Sequence, residues 1–389
     1  MFKTDIKMKE SIVIKNLGPL KDITIEEIKP FTVFIGESGS GKSTLMKVIS
    51  LFRWIYKMHN IHSYYIKSNV NSPFEIDIYS YFENCGIKEF IKSETTIIYK
   101  TTFDKEVNYE IKFIGKDNLY FSKQTINASD LSFNKISFIS ETRNIIPLWA
   151  NRGATLTGGN LGFYFHEVFK DFDLASDAIK NIELKHLDLK FSVKKDHLGK
   201  NYRIESKNNE KFDIEFKNSS SGTQTSVPIL LISQFFAQNF KFEDAFNTSV
   251  LKYLSSDNRL TDFKAVKNLN DIKDKKIYIH IEEPELSLFP DAQCKLMDDL
   301  IRNCFIDNTN PIELLLSTHS PYIVNYLNLL IKRFDKNSEE AKYNYDELAV
   351  YQVADGGLIN LMAKNERLVN TNPLSDTIND IYNEYEKLG

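Results

Sequence analysis

The sequence predicts an α/β fold in which helices and strands alternate around a mixed sheet, with a β-rich subdomain and a helical lobe. The apolar run Phe31–Ile35 has the length of a buried strand, and Lys42–Trp54, which follows a glycine loop, has apolar residues at helical spacing. Two later apolar runs, Lys276–Ile281 and Ile312–Ser317, enclose the helix-like segment Asp291–Ile301. This alternation is typical of a parallel α/β sheet.

Three parts are expected along the chain. Residues 1–60 and 270–389 contain the strand–loop–helix unit and the later apolar strands, and we expect them to form the core. Residues 61–217 should form a β-rich and mixed insertion, because segments such as Thr95–Lys100 alternate between apolar and polar residues. Residues 218–269 begin with a serine-rich stretch and then take a helical pattern, which predicts the helical lobe.

The composition excludes several classes of protein. The 389 residues are 42% hydrophobic, and 49 basic against 53 acidic residues leave a formal net charge of −4. A uniformly basic DNA-coating protein is therefore excluded, although a local basic groove is not. No apolar run reaches the roughly 18 residues of a membrane span, and the N-terminus lacks the apolar stretch of a signal peptide. With three widely spaced cysteines, we expect a soluble cytoplasmic protein that contacts no membrane.

The glycine loop matches the phosphate-binding pattern G-x-x-x-x-G-K-[ST]. Its glycines let backbone N–H groups surround phosphate oxygens, and the helix that follows adds its partial positive charge. Lys42 would reach the β- and γ-phosphates, and the Ser43 hydroxyl would bind Mg²⁺. The predicted site for ATP and Mg²⁺ consists of Gly36, Glu37, Ser38, Gly39, Ser40, Gly41, Lys42, Ser43 and Thr44.

Adjacent carboxylates end the apolar strand near residue 281. Glu282 would bind Mg²⁺ directly or through water, because this metal accepts oxygen ligands. Glu283 would polarise an attacking water. His319 follows the next apolar strand, and such a histidine can contact a γ-phosphate at the same edge of the sheet, although a lone histidine is more often structural.

A segment of small residues precedes the predicted helical lobe. Ser220, Ser221, Gly222, Thr223 and Gln224 stand at a helix start, where free backbone N–H groups can bind an anion. Considered alone, this segment is more typical of a simple turn than of an anion-binding site.

Along the chain the glycine loop comes first, then Ser220–Gln224, then the carboxylates Glu282 and Glu283, then His319. Motifs in this order resemble the ABC-type ATPase head shared by structural-maintenance-of-chromosomes (SMC), RecF and OLD-like proteins. The resemblance covers the strands near Ser11–Ile35, the glycine loop with its helix, and about Phe212–Leu330. It implies a P-loop NTPase of the ABC-ATPase head type. It also implies that Ser220–Gln224 stands in for the signature segment, which meets the ATP bound by the other protomer of a head-to-tail dimer.

The resemblance also assigns roles to individual residues. It implies that Glu283 is the catalytic base and His319 the switch histidine. Glu283–Pro290 looks like the EPE-containing stretch of OLD-like proteins. Phe138–Arg143 is similar to a segment near the nucleotide in that branch, so Arg143 is a candidate, with a buried structural ion pair as the alternative. Gln124 is a candidate for the Q-loop glutamine.

Missing parts narrow the expected function. The stretch from Lys42 to Glu283 is too short for a long coiled-coil arm, and the residues after Leu330 are too few for a TOPRIM nuclease domain. The chain therefore looks like the ATPase subunits of two-gene anti-phage systems such as Septu and PARIS. This implies a homodimer or higher homo-oligomer that controls a separate effector, a nuclease or a toxin.

A DNA-repair ATPase of the RecF type, which binds DNA directly, is the alternative. Such a protein would need a basic surface. The basic residues of this chain, such as those of Lys190–Lys195 with Lys200 and Arg203, are interspersed with acids. A structural switch that does not hydrolyse ATP is disfavoured by the intact Glu283.

Overall fold

The computed structural model describes residues 8–70, 76–103, 106–115, 118–150, 163–197, 199–207, 212–246, 272, 274–374 and 376–388. In chain order its strands are β1 (Lys9–Leu17), β2 (Leu20–Ile25), β3 (Phe31–Ile35), β4 (Ile91–Phe103), β5 (Glu106–Ile114), β6 (Asn118–Phe121), β7 (Ser132–Ile139), β8 (Asn181–Leu184), β9 (Leu189–Asp196), β10 (Gly199–Ser206), β11 (Asp213–Glu215), β12 (Asp274–Glu282), β13 (Ile312–Thr318), β14 (Leu348–Ala354), β15 (Gly357–Asn360), β16 (Met362–Ala363) and β17 (Leu368–Val369). Its helices are α1 (Lys42–Lys67), α2 (Ile78–Asn84), α3 (Ile146–Trp149), α4 (Phe163–Ala178), α5 (Ser221–Gln234), α6 (Pro290–Ile301), α7 (Pro321–Asp335) and α8 (Asp376–Leu388).

The core is a six-stranded mixed sheet in the order β15-β14-β3-β13-β12-β7. The strands from β14 to β7 are parallel, and β15 pairs with β14 as an antiparallel hairpin. Every residue of β3 and β13 is buried, as expected for strands covered on both faces. The carboxyl ends of parallel strands meet at one edge, so the loops after β3, β12, β13 and β7 lie together there.

An antiparallel sheet in the order β2-β1-β4-β5-β6 stands beside the core sheet. In it, Ile12 of β1 lies opposite Ile25 of β2 and Tyr99 of β4. The predicted division at residue 60 placed the N-terminal strands β1 and β2 in the core. In the structure they belong to the antiparallel sheet of the β-rich part. Conversely, β7 falls within the predicted insertion 61–217 but pairs with β12 in the core sheet. Alternation indicates a strand, but it does not specify the partner strand.

A second antiparallel sheet, β11-β10-β9-β8, also lies within residues 61–217. Its apolar face packs on α4 through Phe172, whose ring lies 5.4 Å from that of Tyr202 and 6.4 Å from that of Phe191. The strands of the predicted insertion are thus divided among three sheets. β4, β5 and β6 lie in the five-stranded antiparallel sheet, β8 to β11 form the four-stranded sheet, and β7 belongs to the core sheet.

The predicted fold class, a P-loop α/β protein with a mixed sheet, a β-rich subdomain and a helix beginning at the serine-rich segment, is confirmed. The expected helical lobe at 218–269 is represented by α5, and its residues 247–269 lie outside the described residues. Across the part of the chain that the structure describes, no helix is long and apolar enough to cross a membrane.

A buried polar cluster joins the two larger sheets through α1. Arg53, which is fully buried, donates from Nε and Nη2 to the two carboxylate oxygens of Glu10 at 3.1 and 2.6 Å. Its Nη2 also donates to Glu313 at 3.2 Å. The Tyr99 hydroxyl donates to Glu10, and Lys276 pairs with Glu313 at 2.9 Å. Since Glu10 lies on β1 and Glu313 on β13, the cluster sets the position of the antiparallel sheet against the core.

We expect Arg53→Met to lower the free energy of unfolding by about 3–5 kcal/mol, because it leaves buried carboxylates without their cation. Urea denaturation measures the change. Arg367→Met is the matched control, because Arg367 pairs with Asp335 and Asp346 at the surface, where such pairs contribute little. Equal effects of the two substitutions would contradict a stabilising role for the buried cluster.

Candidate nucleotide site

The glycine loop connects β3 to α1 and adopts a backbone that requires glycine. Gly39 has φ +79° and Gly41 φ +105°, in the left-handed region that favours glycine. A Cβ on Gly41 would also lie 2.6 Å from Leu20 Cδ2, so the Leu20 side chain would have to shift. The tip of the loop is exposed at Glu37, Ser38 and Gly39. The loop is therefore preformed and open to a ligand.

Lys42, the first residue of α1, folds back into this loop. Its Nζ donates to the carbonyl oxygens of Gly36 and Glu37, both at 2.8 Å, and the residue is only 5% exposed. Burial lowers the pKa of Lys42, while the negative charges of Glu283 and Glu285 oppose this effect. The predicted lysine thus lies within electrostatic reach of the carboxylates that follow β12.

Glu282 ends β12 as a buried carboxyl group. It is 1% exposed, and neither of its carboxylate oxygens makes a hydrogen bond of good geometry to a described residue. Burial, reinforced by the neighbouring Glu141, raises the pKa of Glu282 to about 8, and the nearby Ser43 hydroxyl opposes the rise. Buried oxygens without a partner, beside a serine hydroxyl, suit a hard cation that accepts oxygen ligands. Ser43 and Glu282 therefore fit the predicted Mg²⁺ site.

Glu141 is a site residue that sequence reasoning did not single out. It lies in the turn after β7, and its interaction with the Glu282 carboxyl lowers the pKa of Glu141, against the effect of burial. The two carboxyls thus have opposite pKa shifts, as in pairs that share one proton. The signal for it in the sequence is the segment Phe138–Arg143, in which Glu141 stands two residues before Arg143.

Glu283 lies at a strained turn directly after Glu282. Its φ is +45°, unusual for a residue with a side chain, and its N–H donates to the Ser317 carbonyl on β13 at 2.8 Å. Its carboxylate Oε1 lies 3.4 Å from Nε2 of His319, and both side chains are about one-third exposed. The backbone N–H of His319 donates to Glu285 Oε1 at 2.6 Å. The predicted base and the predicted histidine are therefore side by side at the open edge of the sheet.

Arg143 is fully buried beneath this turn. Its guanidinium donates to the carbonyl oxygens of Glu282 at 2.7 Å, Glu283 at 2.5 Å and Ser140 and Thr225 at 3.0 Å each. Burial lowers the pKa of Arg143 to about 10, and surrounding carboxylates oppose the decrease. Among the described residues, the hydrogen bonds of Arg143 go to backbone carbonyls and to no carboxylate, so the alternative of a buried ion pair is not met. Arg143 stays a candidate site residue, beneath Glu282 and Glu283. It positions the turn that carries Glu283.

The serine-rich segment begins α5 and divides into exposed and buried residues. Ser220 is the N-cap, and its Oγ accepts from the Thr223 N–H at 3.4 Å. Ser220 and Ser221 are exposed, whereas Thr223 is buried. The Gln224 side chain donates back to the Lys217 and Ser219 carbonyls, at 2.8 and 2.9 Å. In the structure, Gln224 therefore supports the turn, while the two serines are available to another molecule.

Gly222 ties this segment to the turn that follows Glu283. A Cβ on Gly222 would lie 2.7 Å from the Ser287 carbonyl oxygen, so only glycine allows this contact. The Thr225 hydroxyl donates to the Leu286 carbonyl at 2.9 Å. As a result, the exposed Ser221 stands next to the exposed Ser287, and Phe289 beyond it is 80% exposed.

The Q-loop candidate Gln124 is not at the site. Its carbonyl lies 2.9 Å from Nε2 of His59, which is 17 residues beyond Lys42 on α1. That distance along a helix is about 25 Å. The sequence offered only the residue type at this position, which cannot specify which end of a helix the glutamine contacts.

Comparison with known proteins yields only distant similarities. No protein-family model matches the chain, and no curated protein sequence matches it. Among solved structures it is similar to an SMC head bound to the C-terminal winged-helix domain of ScpA, with 10% identity, 92% of this chain and 99% of the other covered, and a TM-score of 0.45. It is also similar to the dimeric ATP-binding cassette MJ0796 with ADP and phosphate, with 12% identity, coverage of 89% and 96%, and a TM-score of 0.29. The fold class follows from the strand order and the glycine loop.

The raised pKa of Glu282 predicts a pH dependence of stability. Between the unfolded value of 4.5 and the folded value of about 8, the folded protein holds a proton that the unfolded chain has released. The contribution of Glu282 to stability therefore falls as pH rises through this range. Without metal or nucleotide, we expect the free energy of unfolding of Glu282→Gln, relative to that of wild type, to rise by up to about 1.4 kcal/mol for each pH unit in this range. Urea denaturation at several pH values measures this, and parallel curves would contradict the buried carboxyl.

Proposed function

We propose that the chain is an ABC-type ATPase that hydrolyses ATP with Mg²⁺ as a head-to-tail homodimer or higher homo-oligomer. The observation that carries this proposal is the convergence of Lys42, Glu282 and Glu283 with His319 at one edge of the core sheet. The charge of Glu283 reaches the Lys42 ammonium, and the Ser43 hydroxyl reaches the Glu282 carboxyl. The phosphate loop and the two carboxylates thus belong to one site.

Bound Mg²⁺ and ATP supply the phosphoryl group to be transferred and the metal charge that neutralises it. The backbone of Gly36–Ser43 binds the phosphates, and Lys42 is the cation next to them. Ser43 and Glu282 would hold the metal. Because the Glu282 carboxyl is raised to a pKa of about 8, it must release its proton to serve as a ligand, with Glu141 as the adjacent carboxyl.

Glu283 is the proposed general base. Its carboxylate is partly exposed, so it can accept a proton from a water molecule at the sheet edge. His319, 3.4 Å away, orients this carboxylate and presents its own ring to the same space. The strained backbone at Glu283 is held by the Ser317 carbonyl and by Arg143, so the carboxylate is positioned before substrate arrives.

The proposed dimer would use the surface formed by Ser220, Ser221, Ser287 and Phe289. These residues are exposed, and the contact of Gly222 with the Ser287 carbonyl brings the segment of Ser220 and Ser221 next to Ser287. An 80% exposed phenylalanine is costly in water and favours burial against another molecule. In a head-to-tail pair, Ser221 would meet the nucleotide held by the Lys42 loop of the other protomer.

We further propose that the ATPase controls a separate effector, a nuclease or a toxin, in anti-phage defence. The support is the resemblance of the motif order to the ATPase subunits of two-gene defence systems. Direct DNA binding is less favoured, because Lys194, Lys195, Lys200 and Arg203 on β9 and β10 are all paired with acids. Co-expression with the product of the neighbouring gene should give a stable complex. Tight, salt-sensitive DNA binding without such a complex would favour the repair alternative.

We expect Glu283→Gln to bind ATP normally but to hydrolyse it about 10²–10⁴-fold more slowly, because the amide keeps the shape of the carboxylate and loses the base. ATP-dependent dimers should accumulate in this variant. Phosphate release and size-exclusion chromatography measure the two effects. Hydrolysis at the wild-type rate would exclude Glu283 as the base and direct attention to Glu282.

The trans arrangement predicts complementation between two inactive proteins. Ser221→Arg should bind ATP but fail to dimerise and hydrolyse, because its bulk and charge would lie at the seam between protomers. Lys42→Ala should fail to bind ATP. A mixed dimer has one site with intact Lys42 and Ser221, so ATPase activity should partly return on mixing. Normal hydrolysis by a monomeric Ser221→Arg protein would refute the arrangement, and mixed dimers without activity would count against it.

A further inference from the structure

A cavity of about 150 Å³ lies between α1, α2, β7 and α4, apart from the phosphate loop. It is lined by Ser50, Leu51, Trp54, Lys57, Tyr81, Asn84, Cys85, Lys135, Ile136, Phe138, Tyr164 and Glu167. Ser50 is eight residues beyond Lys42 on α1, about 12 Å along the helix. No residue of the proposed ATP site is in its lining. A volume of this size is about that of cavities that hold a benzene ring, and here the lining combines apolar rings with charged side chains.

Four aromatic side chains, in two pairs, form part of the wall. The rings of Trp54 and Tyr81 lie 4.3 Å apart and tilted, and those of Phe138 and Tyr164 lie 4.1 Å apart. These two pairs come from all four elements around the cavity, so the wall is held by the fold and not by one loop. Aromatic walls of this kind favour a flat apolar body that can stack or pack edge-on against them.

Two lysines line the cavity, and they differ in their partners. Lys135 is neutralised, because its Nζ lies 2.7 Å from Asp171 Oδ1 and also 5.3 Å from the ring of Phe236. Lys57 makes no hydrogen bond to any described residue and has no carboxylate of the described chain within 4.0 Å. Its Nζ lies 5.6 Å from the ring of Phe133. Lys57 is thus the cation of this cavity that lacks a direct anionic partner among the described residues.

The surroundings of Lys57 make its charge costly. Burial and the nearby charge of Lys135 lower its pKa to about 8, while Glu167 and Asp171 act in the opposite direction. Asp171 is engaged by Lys135 and by the Ser137 hydroxyl, each at 2.7 Å. Lys57 is half-buried, and an ammonium partly removed from water without a hydrogen-bonded anion gains when one is supplied. Glu167 in the same lining disfavours ligands that carry more than one negative charge.

We propose that this cavity binds a small aromatic monocarboxylate, with its carboxylate on the Lys57 ammonium and its ring against the aromatic wall. The size of the cavity limits the apolar body to one ring, and the single unpaired ammonium limits the charge to one carboxylate. The site lies along α1 and β7, which lead to Lys42 and to Glu141 respectively, so it is connected to the nucleotide site by two rigid elements.

Fluorine NMR titration of the nucleotide-free full chain with para-fluorobenzoate tests the proposal without depending on ATPase activity. Wild type should show saturable binding. Para-fluorobenzamide has the same ring and no charge, and its affinity should be lower by a factor of about ten or more. A two-ring analogue, fluoronaphthoate, should not bind, because the cavity holds only one ring.

Lys57→Met should reduce benzoate affinity about tenfold or more, since it removes the cation and keeps the length of the side chain. Lys67→Met, the same change ten residues further along α1, is the matched control and should bind as wild type does. Lys57→Gln is the second variant, and thermal unfolding shows that each variant is folded. Trp54→Leu should weaken the acid and the amide alike, because it alters only the wall.

Absence of saturable benzoate binding to wild type would overturn the proposal. So would equal affinities of wild type and the two folded Lys57 variants, or equal affinities of the acid and the amide. Because no nucleotide is present, these outcomes are independent of whether the chain hydrolyses ATP.

Discussion

The buried guanidinium of Arg143 is the contact on which the candidate site depends. Its four hydrogen bonds go to carbonyls of three separate segments: the end of β7, the turn after β12 and the first turns of α5. Each segment carries one residue of the candidate site, namely Glu141, Glu283 and Ser221. A buried cation cannot leave its acceptors without a large desolvation cost, so the three segments keep a fixed spacing. A lysine, with one point of attachment and no planar fork, could not hold all three.

Around this anchor, several ionisable groups have no oppositely charged partner in direct contact among the described residues. The carboxyl oxygens of Glu282 make no hydrogen bond of good geometry to a described residue, and Lys42 donates to two carbonyls and the Ser40 hydroxyl of its own loop. Lys57 is in a comparable situation in the cavity along α1. Folded proteins pair most buried polar atoms, so exceptions need a reason. At Glu282 and Lys42 the reason we propose is a Mg²⁺–nucleotide complex, and at Lys57 a small carboxylate.

The polar cluster around Arg53 has a different role, because all its main charges are paired. Glu10, Glu313 and Lys276 come from strands of two sheets, and Arg53 contacts the two acids from the helix between them. The helix that begins at the phosphate loop is thereby connected to the antiparallel sheet. This connection explains why strands β1 and β2, although they precede the core strand β3, belong with β4 and β5.

The sequence by itself determined the features that depend on neighbouring residues. The glycine loop needs left-handed backbone at Gly39 and Gly41, and the buried strands β3 and β13 need continuous apolar runs, so both could be predicted locally. The order of the motifs also placed Glu282, Glu283 and His319 at one sheet edge. Only the tertiary structure decided which strands pair, that Glu141 shares the environment of Glu282, that Arg143 faces inward and that Gln124 is far away. These facts depend on contacts between residues distant in sequence, and no local pattern of residue types encodes the partner of such a contact.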